Sequence, residues 1–374
     1  MVDQNGTLPP LSVFGWAQDM NGCGNYRIGM PMWGLKGRGH DTVAYYGPDP
    51  SINPRTDVVV GQLMYDEHRA SQFQEIATWP GRRPVLIFEI DDDVWNIHPS
   101  NEPAQVLRNR AVLSRVEESA RAADAVTVTT PQLAEVLSQF NEHVYVLPNC
   151  IDLDIITRMR EPNERLTIGW AGGSSHVNDF ADMQSNLRSF LKKQPDVDLH
   201  FIGHDFRDAI GLPNVRWSGW SADLRDYLYS IDFDIGIAPL APNDFNRSKS
   251  DIKILEYAAL GVPAVATDFG PYAASIKHGE TGFLVKHPHE WGTYLRMLVE
   301  DAQLRAELSI NAKIWASERT IQGNAVRWEQ VYRETIQRVH GGPRRTPAAA
   351  SPTSGSLVDA ALGTSGLAAA LGTR

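Results

Sequence analysis

Residues 246–268 read NRSKSDIKILEYAALGVPAVATD. The stretch opens on a basic, hydroxyl-rich loop of Arg247, Ser248, Lys249 and Ser250. A short helix is predicted next, with Ser250 or Asp251 as N-cap and Ile252, Leu255 and Ala259 on its apolar side. Gly261 ends it, Pro263 forbids its continuation, and Ala264, Val265 and Ala266 read as a buried strand. A helix start carries unpaired N–H groups and partial positive charge, so two nearby lysines make it favourable for a phosphate. Glu256, a single acid among apolar residues, suits hydrogen bonds from paired sugar hydroxyls. The same pattern also suits an ordinary helix–strand unit with a solvated lysine face.

Outward from this stretch, short apolar runs alternate with helical or loop material. Upstream they are residues 11–16 (LSVFGW), 42–46, 57–60, 84–90, 125–129 and 144–147. A second series begins at Leu166 with LTIGWAGGSSH and continues at 197–203, 214–220, 233–240 and 282–285. This alternation predicts an α/β chain whose parallel sheets are covered on both faces. Ligands collect at the carboxyl ends of such strands, so the loops after strands hold the candidate site.

The first loop, GCGNYRIGMPMWGLKGRGH, contains Gly22 and Gly24 and presents Tyr26 and Arg27 at the next helix start. It is not the dinucleotide fingerprint, because Arg27 stands where the third glycine belongs. Asp91, Asp92 and Asp93 follow the strand at 84–90 and would repel one another unless water, a cation or substrate hydroxyls share the charge. Gly172, Gly173, Ser174 and Ser175 precede a helix start and expose backbone N–H groups suited to oxyanions. His176 beside them reads as a donor to phosphate or sugar, or as a solvated histidine. Trp217 or Trp220 could present a ring to a nucleobase, although buried tryptophan is the commoner role. Residues 103–123 suit one long amphipathic helix with Val106, Val112, Leu113 and Val116 on one side. Residues 289–339 read as helical, interrupted near Thr320, with Trp315, Val326, Trp328 and Val331 as apolar anchors. Residues 341–374, rich in Ala, Gly, Ser and Pro, are expected to be disordered.

A chain of 374 residues can bury two full cores. Its net charge of −10 argues against broad nucleic-acid affinity. Two cysteines, Cys23 and Cys150, have no metal-type spacing, and neither a disulfide framework nor a zinc site is expected. The first residues, MVDQNGTLPP, lack the apolar region of a signal peptide, and no run approaches a spanning helix. A cytoplasmic location is the expectation.

Taken together, GCGNYRIGMPMWGLKGRGH, EIDDDVW, ADAVTVTTPQLAEVL leading into VLPNCID, IGWAGGSSH, and DIGIAPL leading into KSDIKILEYAALGVPAVATD give a chain that resembles the retaining GT-B glycosyltransferases of the group-one, family 4-like type. The resemblance covers roughly residues 11–339. It implies two Rossmann-like domains facing across a cleft: 1–153 for the acceptor and 166–318 for a nucleotide-sugar donor. A linker at 154–165 would join them, and a helix at 319–340 would return to the first domain. By the same resemblance, Gly172, Gly173, Ser174, His176, Trp220, Ser248, Ser250 and Glu256 would bind the donor. Lys249, Lys253, Asp92 and Asp93 would be catalytic, with the two lysines on one helical face neutralising the leaving phosphate. Gly22, Gly24, Tyr26 and Arg27 would form the acceptor-side loop.

One position departs from the family pattern, because the first of its two motif glutamates would fall where Ser248 stands. The implied reaction moves a sugar from a UDP- or GDP-linked donor to an acceptor hydroxyl with retention, and with neither cofactor nor metal. The acceptor, whether protein, glycan or small molecule, stays open. The alternatives are a nucleotide-sugar epimerase of the same fold and a catalytically silent sugar-nucleotide-binding module.

Overall fold

The apolar runs become two parallel sheets in the computed structural model, which describes residues 8–99 and 101–342. The first sheet contains β1 (Ser12–Ala17), β2 (Asp41–Tyr46), β3 (Val58–Gln62), β4 (Val85–Ile90), β5 (Ala125–Val128) and β6 (Val144–Val146). Its spatial order is β2-β1-β3-β4-β5-β6. The second contains β7 (Thr167–Gly172), β8 (Asp198–Gly203), β9 (Val215–Ser218), β10 (Ile235–Ala238), β11 (Ala264–Thr267) and β12 (Gly282–Val285), ordered β12-β11-β10-β7-β8-β9. Central strands are almost continuously apolar because helices cover both faces; every residue of β4 (VLIFEI) and of β7 (TIGWAG) is buried. Strand order reverses between β1 and β3 and again between β7 and β10, which opens a crevice at the carboxyl ends of both sheets.

The chain passes from the first half to the second after β6 and returns before its last helix. The two passages lie side by side. Ile151 N–H donates to Arg319 O and Ile321 N–H to Ile151 O, each at 2.9 Å. Arg319 adds hydrogen bonds to the Asn149 carbonyl and both oxygens of Asp251. The last helix, Ile321–His340, is capped by Thr320 and crosses back to the first half. Its Trp328, Tyr332 and Ile336 share a core with Leu11, Val13 and Val58.

Several local expectations change. The helix read at 103–123 divides: a 3₁₀ turn, Glu102–Arg108, precedes an α-helix, Arg110–Ala122. Asn109 adopts an extended backbone between them and caps the second piece by accepting from Ala111 N–H. Val106 is consequently exposed. The segment read as a linker begins with a short helix, Leu153–Thr157, capped by Asp152. Residues 289–339 form three helices, Glu290–Glu300, Ala302–Ser317 and Ile321–His340, and Val326 faces solvent whereas Trp328 and Val331 are buried. Residues 343–374 of the tail expected to be disordered lie outside the described residues. No helix among the described residues is long and apolar enough to cross a membrane.

Candidate active site

The loop after β7 and the start of the helix Ile252–Ala259 form one wall of the crevice. Lys253, in the first turn of that helix, donates its ammonium to the Ala171 carbonyl and lies 4.8 Å from the centre of the Trp170 ring. Gly172 makes room for it: a Cβ there would stand 3.0 Å from Lys253 Nζ and 2.7 Å from the Trp170 ring. Burial, against the pull of Glu256 and Asp179 and with a smaller push from the Lys249 charge, lowers the Lys253 pKa to about 8.

Lys249 does not share a helical face with Lys253, as the four-residue spacing had implied. It occupies an extended link (φ −59°, ψ 162°) between the short helix Asp244–Ser248 and the helix Ile252–Ala259. Its ammonium reaches across the crevice to Asp92 Oδ1 at 3.4 Å and lies 4.5 Å from the Phe245 ring centre. Burial alone would lower its pKa, but Asp92 and Asp179 hold it above the ordinary lysine value.

His176 Nδ1 is 2.7 Å from Asp179 Oδ2. Asp179 is itself fixed, its Oδ1 accepting from Ala241 N–H and Asn246 Nδ2. Burial pushes the His176 pKa down to about 4, so the ring is neutral at pH 7. With Nδ1–H given to Asp179, Nε2 carries a lone pair. The histidine read as a donor therefore offers the cavity an acceptor.

Glu256 is buried, with one tyrosine on each oxygen: Tyr26 Oη donates to Oε1 at 2.8 Å and Tyr227 Oη to Oε2 at 3.2 Å. Burial raises its pKa, opposed by Lys253 and by both phenols. Tyr26 comes from the first half of the chain yet packs in a core made largely of the second. Beside this cluster the Trp220 ring lies 4.3 Å from that of Tyr227 and keeps 44% of its surface exposed. Trp217 is also exposed, but it bonds to the Gly203 carbonyl beneath Arg207 and stands outside the cavity.

The acidic loop after β4 splits into two roles. Asp91 and Asp92 line the cavity, and burial, with repulsion from Asp92, raises the Asp91 pKa to about 6. Asp93 turns away, accepting from Trp95 N–H and Asn96 Nδ2. Ser248 lies 3.5 Å from Asp93 Oδ2, is 4% exposed, and gives its carbonyl to Thr130 Oγ1. It does not line the cavity, and the exposed Ser174 does not either; Ser175 lines it instead.

Of the acceptor-side residues, Gly22 and Tyr26 reach the cavity. Gly24 is needed for the turn itself, since a Cβ would fall 1.9 Å from the Asp19 carbonyl oxygen. Arg27, read as presented to a ligand, is buried beneath the crevice. It bonds to both oxygens of Glu89 at 2.7 and 3.0 Å, and to Leu147 O and Asn149 Oδ1. Burial would pull its charge down, but Glu89 holds its pKa above the ordinary value.

The result is a cavity of about 220 Å³ between the carboxyl ends of the two sheets. Gly172, Gly173, His176, Trp220, Ser250 and Glu256 line it from the donor set, together with Lys249, Lys253 and Asp92. Asn149, Tyr227 and Tyr272 line it too and were not singled out from sequence. Asn149 follows β6 and donates to Ser250 Oγ at 3.0 Å, so the strand-end rule would have found it. The tyrosines come from helices, Leu224–Ser230 and Gly270–Ser275, whose sequences carry no local sign of a site. Among the described residues no three His, Cys, Asp or Glu side chains converge as metal ligands.

Residues 165–301 match the family described as glycosyl transferases group 1. They include the whole second sheet and the lysine-bearing stretch. The chain is 26% identical over 246 residues to a D-inositol 3-phosphate glycosyltransferase of Paenarthrobacter aurescens, covering 58% of each chain. It spans about half the length of the curated relatives it matches. Sucrose-phosphate synthase of Thermosynechococcus elongatus superposes with a TM-score of 0.64 at 12% identity, over 87% of this chain and 100% of that one. HepE of Anabaena in complex with UDP-glucose gives 0.61 at 16% identity, over 88% and 100%. The fold is GT-B: two Rossmann-like halves facing across a cleft, with the last helix returning to the first half.

Proposed function

We propose that the chain is a glycosyltransferase that moves a sugar from a nucleoside diphosphate sugar, UDP- or GDP-linked, to an acceptor hydroxyl with retention of anomeric configuration. The observation that carries this reading is the meeting of Lys249 and Lys253 with the Gly172–Gly173 backbone in the cleft, opposite Asp92. Two ammonium groups at a helix start make a site for a diphosphate. Trp220 offers a ring face to the base. Glu256 keeps a free lone pair on each oxygen for ribose hydroxyls while holding its two tyrosines. HepE, which shares the fold, binds UDP-glucose, and that supports a UDP-linked donor here.

In the reaction, the bond from anomeric carbon to diphosphate oxygen breaks and its electron pair leaves with the diphosphate, where Lys249 and Lys253 stabilise the growing charge. The acceptor oxygen bonds to the same face of the anomeric carbon, and its proton passes to the departing diphosphate. His176 Nε2 and Asp92 accept hydrogen bonds from the transferred sugar. The paired ammonium groups supply the charge neutralisation, so turnover is expected without added divalent metal.

The test is release of nucleoside diphosphate from UDP-glucose or GDP-mannose by the purified chain, with product anomers resolved by NMR. Each of Lys249→Ala and Lys253→Ala is expected to lower turnover at least about a hundredfold, the effect of losing one contact that stabilises transition-state charge. Unchanged rates in both variants would overturn the assignment. Recovery of an epimerised nucleotide sugar would point instead to the epimerase reading, and tight nucleotide binding without turnover of any donor to the silent module.

A further inference from the structure

A smaller chamber of about 80 Å³ adjoins the cleft and shares Cys23, Asp91 and Asp92 with it. Leu63, Val94, Ile97, Leu107 and Phe245 make its apolar wall, and its polar lining is Gln18, Asp19, Gln62, Asp91 and Asp92. No lysine, arginine or histidine lines it among the described residues.

The polar groups are held in place yet left with capacity. Gln62 is 1% exposed; its Oε1 takes the Gln18 N–H at 3.0 Å, and its amide nitrogen has no hydrogen bond among the described residues. Gln18 Oε1 accepts from Arg69 Nη1 at 2.9 Å, which again leaves an amide nitrogen free to donate. Arg69 itself does not line the chamber and bonds to the carbonyls of Ala17 and Gln18 behind it. Asp19 gives Oδ1 to the N–H groups of Asn21 and Gly24 and keeps Oδ2. Leu63, in the wall, has φ 42°, the one positive value outside glycine among the described residues. Such a backbone persists only where its surroundings over-determine it, and it concentrates at ligand sites.

We propose that this chamber holds the acceptor and selects one whose enclosed part bears hydroxyl or amine groups and no phosphate or carboxylate. The proposal rests on the transferase reading above. Hydroxyl and ammonium groups donate to Asp19, Asp91 and Asp92, and the two glutamine amides donate back to hydroxyl oxygens. A phosphate there would meet three carboxylates with no cation in the lining. Lys249, the nearest ammonium, is paired with Asp92 on the cleft side, where the donor diphosphate needs it. The relatives named D-inositol 3-phosphate glycosyltransferase carry a phosphate ester in their name, whereas carboxylates and no cation line this chamber.

Calorimetric titration of the full chain with UDP, and then of its UDP complex with myo-inositol, D-inositol 3-phosphate and glucosamine, tests the proposal. Myo-inositol and glucosamine are expected to bind at least about tenfold more tightly than the phosphate ester. Asp19→Asn, which retains the Oδ1 cap and removes the charge, is expected to weaken glucosamine more than myo-inositol. Tighter binding of the phosphate ester, equal affinity for all three, or no binding of any of them overturns it. Absence of binding of both UDP and GDP would instead strike the transferase reading itself, and a chain that takes GDP alone is titrated with the same three ligands as its GDP complex, so the two failures are distinguishable.

Discussion

Replacing Lys253 by methionine should make the empty protein more stable and its binding of nucleotide weaker, and both effects follow from one buried ammonium. Lys253 is 5% exposed, and its pKa falls from 10.5 to about 8, a difference worth ~3 kcal/mol at 1.36 kcal/mol per pH unit. That is the cost of folding with this charge inside. Losing the Ala171 hydrogen bond returns ~1 kcal/mol of it. Methionine fills a similar volume, so a net gain of ~1–2 kcal/mol is expected at pH 7.

The sign of the pH dependence is fixed as well. Below about pH 8 both folded and unfolded chains hold the proton, and the penalty is constant. Between about 8 and 10.5 only the unfolded chain holds it, so this lysine makes stability rise with pH in that window. Nucleotide affinity runs the other way, falling as the ammonium loses its proton above about pH 8. Denaturant melts of ligand-free protein at pH 7 and 9.5, paired with UDP titration at the same pH values, read both. A Lys253→Met protein less stable than the native chain at pH 7, or one that binds UDP equally well, would refute the reasoning.

Three further substitutions probe other parts of the site. Arg27→Met leaves the Glu89 carboxylate, 1% exposed, with Thr127 as its remaining side-chain partner. Glu89, whose pKa burial already raises to about 7, takes up a proton once Arg27 is gone, so a loss of ~1–3 kcal/mol is expected in urea melts, from the buried polar groups left unpaired. Ser248→Glu, which installs the acid that the resemblance to group-one glycosyltransferases implies at this position, places a carboxylate against Asp93 in a site 4% exposed. It should destabilise by at least ~2 kcal/mol and fail to raise activity, as thermal melts and turnover assays would show. Gly172→Ala puts a methyl group 3.0 Å from Lys253 Nζ and should weaken UDP at least about tenfold in calorimetry, with the circular dichroism spectrum preserved.

The strands were legible because buried parallel strands are almost continuously apolar, as VLIFEI of β4 shows with Glu89 its one polar residue. The loops that line the cleft were legible from their place at strand ends. What local pattern could not show was how side chains settle across the cleft. Tyr26 meets Glu256 across 230 positions of chain, and neither residue's neighbours announce the other. Arg27 looked available because its partner Glu89 lies 62 residues away inside a strand. Four-residue spacing put Lys249 and Lys253 on one helix face, but the chain straightens at Lys249, and the two converge by folding back instead. Asn109 divided a helix whose apolar spacing ran straight through it, because a capping side chain outcompetes continuation at that point.

The side-by-side passage of the chain at Ile151 and Thr320 has a mechanical consequence. Two separate connections would let the halves twist as well as open. Here the backbone bonds from Ile151 to Arg319 and from Ile321 to Ile151 tie them into one strap, and Arg319 rivets that strap to Asp251 at the foot of the lysine-bearing helix. The Tyr26–Glu256 and Asp92–Lys249 contacts both join the two halves, so opening the cleft would break both of them.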